Sequence, residues 1–313
     1  MANTRKTDAL QIIEQRFGKV SKLSTGTSLF SVGNDAARIY FRYSKVHSGG
    51  RGFFGLREID LRQLESHNSY ICFLMDDNSL PVFVPFADFE EVFRQAKPAA
   101  DGQYKVQLSS RTDGLELYVA KQGRFNVEGY IGFEILDRSV RAADLRPKMN
   151  LSHSQVQTLL AGIGHLKGYQ VFVPPADVAK LDWSLTKQFR LTQNIPAGFE
   201  RVRSILSEID VTWLTSQKNR VEALFEVEHT TTIYSGLLRL NDLLLTEPTI
   251  SRLSIVANES RRSVFAHHLF RPTFRKSGLS EITSFLEYSN VFYWHHRLTR
   301  ARAPALVRAT GST

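Results

Sequence analysis

Residues 221–232 read VEALFEVEHTTT. The odd positions Val221, Ala223, Phe225 and Val227 are apolar, and Glu222, Glu226 and Glu228 stand on even ones. Strict alternation over this length predicts a strand with one buried and one wet face. Like charges on one face repel, so acids placed this closely need either a task or partners. The plainer version is a solvated face paired with Lys218, Arg220 and Arg239. Upstream, residues 209–214 (IDVTWL) carry the same parity, with Ile209, Val211 and Trp213 on one face and Asp210 and Thr212 on the other. If the two strands pair, Asp210, Glu226 and Glu228 converge. Three carboxylates about one point suit a hard divalent cation such as Mg²⁺.

Outward from this pair, helical and strand patterns alternate. Ser152 or Ser154 caps a helix whose apolar stripe is Val156, Leu159, Leu160, Ile163 and Leu166, and Gly168 ends it. Residues 169–173 form a strand closed by Pro174 and Pro175, and 199–207 a helix. After the glutamate strand come a helix over 232–245, a strand over 251–257, a helix over 259–270 and a last helix over 280–297. A strand–helix–strand crossover at the glutamate strand predicts a mixed sheet flanked by helices. The polar, basic stretch 138–153 contains Pro147 and separates two patterns, which puts a domain boundary near residue 148. The expected domains are 1–147 and 148–313.

The first of these is strand-rich α+β. It has a helix over 8–17, strands near 38–43, 104–109, 115–120 and 127–136, and a hairpin of 69–75 with 80–85 turned by DDNS. Between residues 45 and 57 lies KVHSGGRGFFGLR, whose four glycines predict a loop. As a basic loop it would bring Lys45, Arg51 and Arg57 to phosphates and wedge Phe53 or Phe54 against bases. As a bland connection it would dock those phenylalanines in the core.

The chain of 313 residues has 40 Lys+Arg against 31 Asp+Glu, a formal net charge of +9, which favours a polyanionic partner, nucleic acid above all. The single cysteine, Cys72, excludes an internal disulfide and a Cys-rich zinc site and fits a reducing cytoplasm. No run is long enough for a membrane span, and the N-terminus lacks the apolar core of a signal peptide.

The order of elements, with Asp210 in EIDVTWL and Glu226-Val227-Glu228 in ALFEVEHTT, resembles the PD-(D/E)XK nuclease superfamily, the fold of many restriction endonucleases. The likeness covers roughly residues 152–270. It departs from the family at Glu228, where lysine is usual, and a Glu-x-Glu version occurs in some restriction enzymes of this fold. It also departs on the first helix, where many members carry an acid and this chain has Gln155 and Gln157.

The resemblance implies an α/β (α+β) protein with a restriction-endonuclease-like mixed sheet in its C-terminal half. It implies metal-assisted hydrolysis of double-stranded DNA, of restriction or defence type, with Asp210 and Glu226 on Mg²⁺ or Mn²⁺. Glu228 would orient or deprotonate a water. His229, Thr230 and Thr231 would support the phosphate or the metal's surroundings, and Arg239 would neutralise phosphate. The N-terminal domain would recognise or position DNA, and two strands to cut call for a homodimer. No small-molecule cofactor is implied. The alternative is a catalytically inactive nuclease fold that binds nucleic acid or a partner protein, which the missing lysine favours.

Overall fold

The computed structural model describes residues 2–300 apart from 24–27, 34, 78, 113, 196, 216–219, 231, 248 and 251. Two compact units divide between Arg146 and Pro147. Among the described residues no helix is long and apolar enough to cross a membrane.

The first unit starts with α1 (Ala2–Phe17), β1 (Val20–Lys22), β2 (Leu29–Val32), β3 (Ala37–Ser44), β4 (Val46–His47), β5 (Arg51–Arg57) and α2 (Glu58–Arg62). It continues with β6 (Ser69–Met75), β7 (Val82–Pro85), α3 (Phe86–Gln95), β8 (Gln103–Arg111), β9 (Gly114–Val119), β10 (Gly123–Asn126) and α4 (Glu134–Asp144). One sheet has the order β1-β2-β3-β6-β7 and the other β10-β9-β8-β5-β4. Tyr40, Ile71 and Phe73 of the first sheet meet Phe54, Leu56, Val106 and Leu108 of the second in one core. The other face of the first sheet packs Ile39, Phe41, Cys72 and Phe83 against Ile13 of α1 and Leu136 of α4.

The expected loop over residues 45–57 is a correction. It is a β-hairpin, β4 and β5, with Val46 opposite Gly52 and His47 opposite Arg51. Gly49 and Gly50, at φ 77° and 67°, make the turn. Gly55 lies inside β5, where a Cβ would collide with the Gln103 side chain on β8. Glycine there marks close packing rather than punctuation. Phe54 faces the core, and Phe53 faces out at 49% exposure.

The second unit comprises α5 (His153–Leu166), β11 (Gln170–Phe172), α6 (Pro175–Val178), α7 (Arg203–Leu206), β12 (Val211–Thr215), β13 (Arg220–Val227), α8 (Ile233–Thr246) and β14 (Leu253–Ala257). Then follow α9 (Arg262–Leu269), α10 (Pro272–Lys276), α11 (Leu279–Ile282), β15 (Thr283–Glu287) and α12 (Tyr288–Arg300). The sheet order is β11-β12-β13-β14-β15. β11, β12 and β13 pair antiparallel, and β13, β14 and β15 pair parallel, so the sheet is mixed. The whole is an α+β fold of mixed sheets flanked by helices.

Ser152 caps α5 with a full capping box: its hydroxyl accepts from the Gln155 N–H and Gln155 Oε1 accepts from the Ser152 N–H. α5 and α12 cover one face of the sheet through Val156, Leu160, Val211, Trp213, Phe225 and Trp294. α8 covers the other through Leu237, Leu240, Leu224 and Ile255. Trp213 ties α5 to β12 by donating Nε1–H to the Leu160 carbonyl at 3.1 Å.

Three readings of the second unit change. The helix expected over 280–297 contains β15, because TSFLE pairs in parallel with β14 from Leu253↔Thr283 to Ala257↔Glu287. The glutamate strand is the middle strand, buried on both faces from Val221 to Val227, where alternation predicted one wet face. Ile209 precedes β12 and packs with Leu206 and Leu214 rather than with Val211 and Trp213.

Candidate active site

Antiparallel pairing sets Val211 opposite Phe225, so Asp210 stands beside Glu226 at the end of the strand pair. The Glu228 N–H donates to the Val256 carbonyl of β14 at 2.8 Å, which fixes the chain just past β13. Glu226 and Glu228 are each 1% exposed.

Arg239 of α8 grips Glu226 with both prongs, Nε to Oε1 at 2.7 Å and Nη2 to Oε2 at 2.9 Å. The same Nη2 lies 4.0 Å from Glu228 Oε1. Burial pushes the Glu226 carboxyl up to about 8; Arg239 opposes that rise, and the charges of Asp210 and Glu228 add to it. The acids in turn raise the guanidinium of Arg239, Glu226 foremost.

Asp210 leans the other way. Its Oδ2 accepts the Val227 N–H at 2.7 Å. Its Oδ1 lies 3.2 Å from His153 Nε2 and 3.3 Å from Gln157 Nε2, both on α5. The carboxylate of Asp210 therefore faces α5, and that of Glu226 faces α8. His153 and Gln157 are four residues apart and share one face of their helix.

Gln157 also reaches Asp177 of α6, Nε2 to Oδ2 at 3.4 Å. Ligand atoms of His153, Asp177 and Asp210 all lie within 4.8 Å of one another. The hydrogen bond to Asp210 holds the His153 imidazole above its ordinary pKa against the pull of burial. Burial works against an ionised Asp177, yet Lys180, Gln157 and His153 outweigh it and keep the carboxyl below its usual range.

His229, of opposite parity to the acids, stacks on Tyr288 of α12, with Nδ1 and the phenol oxygen 3.2 Å apart. Burial first, then the charges of Glu228 and Asp210, push the Tyr288 hydroxyl up to about 12 against Arg261. Arg261 Nη1 donates to the carbonyls of Glu228 and His229 at 2.6 and 3.2 Å and so pins the exit of the strand. Thr230 is exposed there, and Thr231 lies outside the described residues.

Lys45, Arg51 and Arg57 belong to the first unit, all three exposed. Arg57 pairs with the buried Asp60 at 2.7 and 2.9 Å, Arg51 Nε donates to the Ser48 carbonyl, and Phe53 meets His47 edge-on.

Sequence reading did not single out His153, Asp177 or Tyr288, and it noted Gln157 only as not acidic. The four-residue spacing of His153 and Gln157 was a usable signal, since both must face whatever α5 packs on. Asp177 gave none, because only the reversal of the chain after Pro174-Pro175 brings it to α5.

Curated proteins and solved structures offer no match to the chain. Residues 135–302, more than half of it, match the family model described as the Type II restriction enzyme NmeDI C-terminal domain, and the chain belongs to that family.

Proposed function

We propose that the protein is a metal-dependent endonuclease of restriction or defence type and PD-(D/E)XK design, which hydrolyses phosphodiester bonds of double-stranded DNA. The supporting observation is the set of acids, Asp210, Glu226 and Glu228, at the ends of β12 and β13 in a chain of a restriction-enzyme family. Burying a carboxylate costs on the order of several kcal/mol unless it is compensated, and Arg239 compensates Glu226 through both oxygens yet leaves its carboxyl raised.

The three carboxylates do not converge as they stand: Asp210 faces α5, while Glu226 and Glu228 face α8, and Arg239 occupies both oxygens of Glu226. One guanidinium, Arg239, faces both Glu226 and Glu228, and the charge of Asp210 presses on Glu226 as well. Burial keeps a proton on Glu226 up to about pH 8, and a dication would take the place of that proton. Asp210 and Glu226 would hold Mg²⁺ or Mn²⁺ once Arg239 releases Glu226 and the Asp210 carboxylate turns from α5. The bound ion would supply a water of lowered pKa and offset charge on the phosphate.

The protein's own side chains do the rest. Glu228, on the α8 side with Glu226, orients the attacking water and takes its proton at a carboxylate oxygen. Arg239 adds positive charge toward the phosphate. His229, steadied by Tyr288, and Thr230 and Thr231 meet the phosphate at the strand exit. The first unit positions the duplex through Lys45, Arg51 and Arg57, and a homodimer supplies the second cut in the cytoplasm.

The test is cleavage of plasmid DNA by the purified protein with Mg²⁺ or Mn²⁺. Fragmentation that stops with a chelator and in Asp210→Ala and Glu226→Ala is the expected result. Equal cutting by those variants overturns the site. A second reading, a nuclease fold that binds DNA without cutting, is favoured by the two-pronged hold of Arg239 on Glu226. It predicts salt-sensitive DNA binding with no cleavage under either metal.

A further inference from the structure

From Ser260 to Ser280 the chain carries four arginines, one lysine, two histidines and no acid. These residues form α9, a turn at Phe270 and Arg271, α10 and the start of α11. Their inward side is ordinary core, where Phe265, Leu269, Phe274 and Leu279 join Leu240 of α8. The outward side leaves Phe270 at 60% exposure, with Arg271, Arg275 and Lys276 also exposed. Arg261 and Arg262 are engaged, by the carbonyls of Glu228 and His229 and by Glu287. Arg271, Arg275 and Lys276 pair with no carboxylate among the described residues. The Arg271 guanidinium lies 4.9 Å from the ring centre of Tyr234, which also meets His268 at 5.5 Å and Phe274 at 5.7 Å. Stacking holds that guanidinium in place, yet it donates no hydrogen bond among the described residues, so its N–H groups stay open to an acceptor. Tyr234 stands in the first turn of α8, directly past the strand exit, which sets the stack at the end of the sheet where the acids lie. Burial first, then the charges of His267 and Arg271, hold His268 below its ordinary pKa, as a local surplus of positive charge must.

We propose that the α9–α10 turn is a duplex-DNA contact surface in the same unit as the acids, where Arg271, Arg275 and Lys276 meet phosphates and Phe270 enters a groove as an apolar wedge. A lone exposed phenylalanine needs no explanation; one set among unpaired cations has the makeup of a nucleic-acid contact. Arg271 and Arg275 are four residues apart, and the Arg275 N–H donates to the Arg271 carbonyl at 3.1 Å, so both side chains share one face of the turn. A planar guanidinium already held by a ring loses little freedom on gripping a phosphate with its fork. Arg275 and Lys276 release counterions as they neutralise phosphate, which gives affinity without sequence preference. Phe270 adds an uncharged contact of the kind that unstacks a base step and bends the duplex. The proposal rests on the nuclease reading for its substrate, and its test reads binding rather than cleavage.

The full-length protein is titrated against a fluorescein-labelled duplex of random sequence in EDTA, and anisotropy is read at several salt concentrations. Arg275→Ala and Lys276→Ala should each lower the slope of log affinity against log salt by about 1. Phe270→Ala should weaken binding on the order of tenfold with an unchanged slope, and Phe270→Leu should keep most of the affinity, since leucine also wedges. The three side chains are exposed, so their replacement leaves the core intact, and circular dichroism checks each variant. The proposal is overturned if both charge variants keep the wild-type slope, or if Phe270→Ala binds like wild type; wild-type binding in all of them would leave the surface to an acidic protein. The nuclease reading is judged apart from it. Unchanged slopes in variants of a protein that cuts plasmid DNA would remove this surface alone, and lowered slopes in one that cuts under neither metal would keep the surface and remove cleavage.

Discussion

Glu226 is held by both of its oxygens and still carries a carboxyl raised to about 8, because burial outweighs the guanidinium and two neighbouring acids add to it. The direction sets a pH dependence. In the unfolded chain the group titrates near 4.5, so the fold holds a proton that the unfolded chain releases between that value and about 8. The stability contributed by this proton is full below about 4.5 and is lost as pH rises through about 8. Glu226→Gln removes the titration, so its stability relative to wild type should grow from pH 5 to pH 8 and then level off. Urea denaturation of both proteins across that range measures it; a constant difference would show that Glu226 is ionised throughout. The Glu-x-Glu spelling was plain in the sequence. The burial that gives it this chemistry was not, because alternation shows which side chains share a face and not what covers them.

Helix α8 lies so close to β13 that one glycine decides the fit. A Cβ on Gly236 would come 2.4 Å from Glu228 Oε1, 3.1 Å from Ile255 Cδ1 and 3.4 Å from Glu226 Cβ. Gly236→Ala offers a helix-propensity gain of up to about 1 kcal/mol. Overpacking against β13 should outweigh it, for a net loss on the order of 1–2 kcal/mol in urea denaturation. Cleavage should fall as well, since Glu228 must move; a stabilised variant with normal cleavage would mean that the helix yields freely. Helix α5 is legible at its start, where S-x-x-Q spells the capping box, and illegible in what it approaches. The cap sets where the helix begins and hence the direction of His153 and Gln157. Meeting Asp210 depends on Trp213 and Leu160 docking the helix across the sheet.

On the scale of the molecule, a net charge of +9 and membership of a restriction-enzyme family together favour DNA as the partner. Removing one phosphate-binding side chain should lower the slope of log affinity against log salt by about 1. Lys45→Ala and Arg51→Ala should each do so while weakening binding evenly across sequences. Arg57 is a poor probe, because removing it would strand Asp60, which is buried. Filter binding at several salt concentrations decides the matter, and unchanged slopes in both variants would take the hairpin out of the DNA surface.

The sequence by itself determined what neighbours along the chain can settle: the cap of α5, the turn residues, and the alternation that marks β12 and β13 as strands beside Asp210 and Glu226. It also carried enough family pattern to point at a nuclease. Only the tertiary structure decided that β13 is covered on both faces, that residues 283–287 join the sheet, and that residues 51–57 are a strand. It alone joined His153 and Asp177 to Asp210. The physical reason is one of range: hydrogen bonds and side-chain periodicity act within a few residues, whereas burial and charge pairing are set by segments tens of residues apart that meet only when the core closes.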